Sequence, residues 1–264
     1  MDLRFYLENN ENEKPLDTIP PCGGLSAIFR RIGCVGDSLS SGEFETRDPK
    51  GTPGFHDLYD FSWGQFIARD TGATVFNFSK GGMTAHDFTE FFSHEVGFED
   101  KAKRCSAYIV ALGSNDLFME KREMGCENDI NIGEPEKNPE TFAGYYGRIL
   151  SKIKKMQPDA FIFLMSMPRH GSDLDKTRGE MADLLDRIAE KIDRTYHLNF
   201  YKYAPVYDGE FQKRYFLHGH MNPAGYRLSA LMTESYIDYV IRHDPEAFKE
   251  VGFIGTDILG KIKN

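Results

Sequence analysis

A chain of 264 residues is long enough to bury a full core, and a net charge of −9 offers no field that would draw it onto nucleic acid or an anionic membrane surface. Basic residues are scattered apart from Lys152, Lys154 and Lys155, which fall near an expected helix end where cations complement the dipole. No stretch approaches the ~18 consecutive apolar residues of a transmembrane helix, so no membrane-spanning segment is expected.

The opening run Met1-Asp2-Leu3-Arg4-Phe5-Tyr6 lacks a cationic start leading into an apolar stretch, so no signal peptide is expected. Residues 1–29 are polar, broken by Pro20-Pro21-Cys22-Gly23-Gly24, and read as an extension to a domain spanning 30–264. Cys22, Cys34, Cys105 and Cys126 form no C-x-x-C pair and are expected to be free thiols, which together with the N-terminus gives a cytoplasmic expectation.

Five short apolar runs follow: Arg31 to Val35, Thr74 to Phe78, Ala107 to Leu112, Ala160 to Met165 and Leu198 to Tyr201. The third and fourth are continuous rather than alternating, the pattern of strands covered on both faces of a parallel sheet. Helical stripes lie between them. Asn138-Pro139-Glu140 predicts a helix start, with Phe142, Ile149, Leu150 and Ile153 on one face and Gln157-Pro158 at the end. Met181, Leu184, Leu185, Ile188 and Ile192 mark the next helix, and Asn222-Pro223 opens the last. Alternating strands and helices predict one α/β/α layered domain. Long loops are expected at Glu43 to Tyr59, Met119 to Lys137, Arg169 to Arg178 and Lys202 to Met221, each after a strand, where open α/β sheets build their ligand crevice.

The chemistry-bearing residues fall at those strand ends. The first strand runs into Gly36-Asp37-Ser38-Leu39-Ser40-Ser41-Gly42, a glycine-led turn that would project a serine hydroxyl into the crevice. Alone, such a serine serves a turn or cap equally well. The second strand ends in Gly81-Gly82, able to expose a backbone N–H, and the third in Gly113-Ser114-Asn115-Asp116, where an amide could face a developing oxyanion. His220 stands just before the last helix. Serine, glycine, amide donor and histidine in this order are the components of acyl transfer.

These blocks, Gly36-Asp37-Ser38-Leu39, Gly82, Gly113-x-Asn115-Asp116 and His220, resemble those of the SGNH hydrolases, also called the GDSL esterase/lipase family, over about Arg31 to Arg227. The resemblance implies a flavodoxin-like three-layer α/β/α sandwich on a five-stranded parallel sheet ordered 2-1-3-4-5. It implies hydrolysis of carboxylic esters with no metal and no organic cofactor. It assigns Ser38 as nucleophile and His220 as general base. The oxyanion hole falls to the Ser38 N–H, the Gly82 N–H and the Asn115 amide, while Asp37 and Asp116 are expected to brace their turns. The family places an aspartate three residues before the histidine; here that position is Leu217. A backbone carbonyl near Leu217 or His218, or a displaced carboxylate such as Asp208, is therefore expected to orient the ring.

Other readings stay open on the residues alone. His218-x-His220 could be two metal ligands, but no further cluster accompanies them, and zinc needs at least three protein ligands. Ser40, Ser41 and Ser114 are alternative nucleophiles. Arg169-His170 could reach the crevice rim or form a loop salt bridge. Phe44, Tyr59, Phe61 and Trp63 could wall an acyl or sugar pocket or belong to the core. The expected partner is a small-molecule ester, of a carbohydrate or other small polar alcohol with a short acyl group. An O-acyltransferase, or a silent module binding an acylated ligand, uses the same parts. The assembly state is not legible.

Overall fold

Neighbouring residues in the central apolar runs are buried in two different cores, which is why those runs are continuous. In the computed structural model, which describes residues 4–7 and 10–258, the strands are β1 (Arg31–Gly36), β2 (Glu43–Arg47), β3 (Pro53–Asp57), β4 (Thr74–Ser79), β5 (Ala107–Ala111), β6 (Phe161–Met165), β7 (Thr195–Leu198), β8 (Phe216–Leu217) and β9 (His220–Met221). The four longest helices are α1 (Trp63–Thr71), α2 (Phe142–Met156), α3 (Asp175–Lys191) and α4 (Pro223–His243). Strands β4-β1-β5-β6-β7 form one all-parallel sheet, and β2-β3 and β8-β9 are separate antiparallel hairpins. Counting only sheet strands, the order is 2-1-3-4-5, the flavodoxin-like arrangement.

Ile162 and Leu164 point to one face of the sheet, where Ile149, Leu150 and Leu185 of α2 and α3 cover them. Phe161 and Phe163, one residue out of phase, point to the other, against Tyr226, Ile237 and Ile241 of α4, while α1 adds Trp63 and Ile67 to that layer. All of these are nearly or fully inaccessible to solvent. Fully burying one such side chain contributes ~1.5–3 kcal/mol, so a polar residue in either set would break the layering. The three layers follow from this alternation.

Several boundaries differ from expectation. The fifth strand is Thr195–Leu198 rather than Leu198 to Tyr201. It carries the buried His197, whose Nδ1 meets Asp186 Oδ1 at 2.6 Å, so a polar residue interrupts the apolar signal. Asn199 then caps the one-turn helix that holds Tyr201. Helix α2 starts at Phe142, capped by Thr141, whose Oγ1 accepts from Gly144 N at 3.1 Å. Asn138 instead braces the preceding loop, accepting from Asn131 N at 2.8 Å. Ile192 lies just past α3.

Of the extension, residues 1–3 and 8–9 lie outside the described residues, as do 259–264 at the other end. The remainder lies along α4. Glu13 grips Arg242 with both carboxylate oxygens at 2.7 and 2.8 Å, the Leu25 N–H donates to Asp238 at 2.7 Å, and Phe29 is fully buried. Among the described residues no helix is long and apolar enough to cross a membrane.

Candidate active site

The nucleophile turn is built by close packing. After β1, Asp37 caps the single helical turn Ser38–Ser41, its side chain accepting from Leu39 N at 3.1 Å. A Cβ on Gly36 would overlap Ser40, so the glycine is what lets this turn fold back on its own strand. Ser40 is committed to the scaffold, its Oγ meeting Ser79 Oγ at 2.9 Å, and Ser41 donates to the Ser38 carbonyl and to Asp57. Ser38 is left half-buried at the crevice. Since β1 is flanked by β4 and β5, Ser38 stands where the strand order reverses, the position at which open α/β sheets bind ligands.

The other predicted donors are tied to each other. Gly82, exposed, has φ +74°, a left-handed conformation that favours glycine. One residue on, the Met83 carbonyl accepts from Asn115 Nδ2 at 3.0 Å. Asp116 receives the Ala85 N–H on both oxygens at 3.0 Å, so the turns after β4 and β5 are stitched together. Burial pushes the Asp116 carboxyl up to about 6 against that N–H and Arg122, and pushes Asp37 up to about 7 against the Leu39 N–H.

His220 arrives on the β8-β9 hairpin, paired with Leu217, and Asn222 caps α4 immediately after it by accepting from Gly225 N at 3.0 Å. Its Nε2 lies 3.0 Å from Glu43 Oε1 and its Nδ1 3.6 Å from Glu45 Oε2. The ring of Phe55 stands edge-on to the imidazole at 5.7 Å between centroids. Asp208, named as the displaced acid, is not at the ring: it caps the helix Gly209–Tyr215, accepting from Glu210 N and Phe211 N at 3.1 and 3.0 Å. Leu217 is exposed. Sequence reasoning missed Glu43 and Glu45 by treating Glu43 to Tyr59 as loop. The segment is the β2-β3 hairpin, with Phe44 packed inward on Phe61 and Tyr226. A signal was present: the alternation Glu-Phe-Glu-Thr-Arg, followed by an Asp48–Gly51 turn in which Asp48 accepts from Lys50 N and Thr52 N.

Ser38, Asn115 and His220 line one cavity of about 310 Å³, with Trp63, Phe200 and Tyr207 in its wall. Trp63 thus serves both readings, core and pocket wall. His170 lines the same cavity, Arg169 does not, and Arg178, which also lines it, pairs with Asp175 at 3.1 Å across the first turn of α3. Gly82 borders a separate hollow of about 210 Å³ with Lys80 and Phe91. No hydrogen bond joins Ser38 to His220 among the described residues. Among those residues no group of three or more His, Cys, Asp or Glu side chains is gathered as metal ligands would be.

A parallel five-stranded sheet with a serine turn at its switch point and a histidine lining the same cavity places the chain among three-layer α/β proteins of hydrolase layout. The chain belongs to the GDSL-like Lipase/Acylhydrolase family, whose profile matches residues 34–228. Among solved structures it is similar to a family two carbohydrate esterase from Clostridium thermocellum in complex with cellohexaose, with a TM-score of 0.58 at 16% identity over 89% of this chain. The chain spans just under two thirds, 66%, of that protein. A protein from Lactobacillus plantarum matches with a TM-score of 0.57 at 16% identity, covering 80% of this chain and 97% of its own. A Clostridium thermocellum family 3 carbohydrate esterase matches at 0.52 and 12%, covering 81% and 97%. At these identities the likeness is one of fold. No curated protein matches the sequence.

Proposed function

We propose that the chain is a serine esterase that hydrolyses short-acyl esters of a carbohydrate or another small polar alcohol through an acyl-enzyme on Ser38. The observation that carries this reading is the convergence of Ser38, Asn115 and His220 on one cavity, the first two from the ends of β1 and β5 and the third from the β8-β9 hairpin. Ser38 Oγ attacks the ester carbonyl carbon while its proton passes to His220. The carbonyl oxygen, now an oxyanion, accepts from the Ser38 N–H, the Gly82 N–H and the Asn115 amide. An amide NH₂ has two donors, so Asn115 can hold the Met83 carbonyl with one and the oxyanion with the other. Collapse breaks the C–O bond to the alcohol, which leaves with the proton from His220. Water, deprotonated by the same imidazole, then releases the acid and regenerates Ser38.

Carbohydrate esters are favoured by the fold shared with carbohydrate esterases of two families and by a cavity of modest size. The free thiols, Cys22 exposed among them, support a reducing, cytoplasmic setting. The test is p-nitrophenyl acetate hydrolysis by the wild-type chain beside Ser38→Ala, with a fluorophosphonate label located by mass spectrometry. Label on Ser38 and loss of turnover in the variant are expected. Equal activity in both proteins refutes the proposal.

A further inference from the structure

The hairpin carrying His220 holds no acid that reaches its own imidazole, yet two carboxylates from another part of the chain do. Glu43 and Glu45 are two apart on β2, so both project to the side of the hairpin that meets β8-β9, and both are nearly buried, with side chains 11% and 5% exposed. Glu43 Oε1 lies at Nε2 and Glu45 Oε2 at Nδ1, so the ring sits between them. Among the described residues, Glu45 is the only carboxylate within 4 Å of Nδ1, and that nitrogen is buried with no hydrogen bond in this conformation, the Glu45 oxygen at 3.6 Å lying just beyond hydrogen-bond range.

Glu45 is also the better anchored of the two. The Gly219 N–H donates to its Oε2 at 2.8 Å, fixing the carboxylate to the residue next to the histidine, and Arg47 pairs with its Oε1. Burial works against the Glu45 charge, but Gly219, Arg47 and His220 outweigh it and hold the carboxyl below its usual range. Glu43 is the opposite case: burial raises its carboxyl, His220 opposes this, and Asp57 and Glu45 add to it. Of the two, Glu45 is therefore the firmer anion.

We infer that Glu45 is the positioning residue for His220, supplying from β2 the orienting carboxylate that Leu217 cannot. The inference rests on the acyl-transfer reading of Ser38 and His220. Once the ring closes the remaining few tenths of an ångström and Nδ1–H is donated to Glu45, the lone pair falls on Nε2. That nitrogen takes the Ser38 proton, the resulting imidazolium is stabilised by Glu45, and the proton passes on to the leaving alcohol. Glu43 shares Nε2 with Ser38, and for that nitrogen to carry the lone pair Glu43 must be its protonated partner, donating to Nε2, the form that burial of Glu43 favours.

The test combines a readout of the ring with one of turnover, on the full chain. Imidazole ¹⁵N shifts of His220 are measured at a pH where the ring is neutral, in wild type, Glu45→Gln and Glu43→Gln, beside kcat and KM for p-nitrophenyl acetate. A glutamine at 45 can still accept from Gly219, which preserves the fold, and thermal melts verify it. The expected result is an Nδ1–H tautomer in wild type and in Glu43→Gln, lost in Glu45→Gln. There kcat falls at least about 10²-fold, toward the ~10⁴-fold loss of a serine protease with the wrong tautomer, while KM changes little. An Nε2–H tautomer in the wild type overturns the inference, as does a Glu45→Gln protein with tautomer and kcat unchanged. A wild type that neither turns over ester nor takes fluorophosphonate on Ser38, but keeps the Glu45-dependent tautomer, refutes the esterase reading and leaves the positioning of the ring by Glu45 standing.

Discussion

Replacing Asn115 by alanine deletes one side-chain amide and separates its hydrogen bond to the scaffold from its proposed contact with the oxyanion. Toward Met83 it makes one half-buried hydrogen bond of 3.0 Å, whose loss costs about 0.5–1.5 kcal/mol of stability. Toward substrate it is assigned the second amide hydrogen, and removing one oxyanion donor costs about 10²–10³ in kcat, or about 2.7–4 kcal/mol. The asymmetry is the test. Because the donor acts on charge that appears only in the transition state, kcat should fall while KM for p-nitrophenyl acetate stays within about threefold. Asp116 keeps the neighbouring turn in place through its own two bonds to Ala85 N, so the variant should melt only a few degrees below wild type. Initial rates over a range of substrate concentrations, with a thermal melt on the same samples, measure both quantities. A kcat within about threefold of wild type, a difference of under about 0.7 kcal/mol, would refute the oxyanion assignment. A loss confined to KM would do the same.

Gly36→Ala should lower activity and stability together by about 1–3 kcal/mol, since its methyl group would press on Ser40 and displace the Ser38 turn; chemical denaturation measures it, and an unchanged midpoint contradicts the packing argument. Ser40→Ala is expected to keep turnover within about tenfold while losing about 1 kcal/mol of stability, because its hydroxyl is spent on Ser79; abolished turnover would move the nucleophile assignment away from Ser38. Glu234 gives a pH dependence of known sign. Burial, reinforced by Asp70, pushes its carboxyl from 4.5 up to about 8, so between those values the folded chain holds a proton that the unfolded chain has lost. That contribution is fully present below about 4.5 and is lost as pH rises through about 8. Glu234→Gln should melt higher than wild type at pH 9, on the order of a few kcal/mol, with the gap closing by pH 5; equal melting at both pH values refutes it.

The sequence by itself determined the layering and the placing of the Ser38 turn at the end of the first strand. Continuous apolar runs such as Ala107 to Leu112 are informative because a strand covered on both faces has no polar phase, and helix stripes carry their own period. The blocks at Ser38, Gly82, Asn115 and His220 were legible because each lies within a few residues of a strand end or helix start. Only the tertiary structure decided what surrounds the histidine. Glu43 and Glu45 are some 175 positions away in the chain, and their placement depends on how the β2-β3 hairpin packs against β8-β9, a pairing written in no local period. Asp208 looked available from its nearness in sequence, yet the helix starting at Gly209 needs its carboxylate as a cap. Local propensity fixes which residues cap and which strands form, whereas the partner of a ring nitrogen depends on long-range packing of two small hairpins, and no neighbouring residue encodes it.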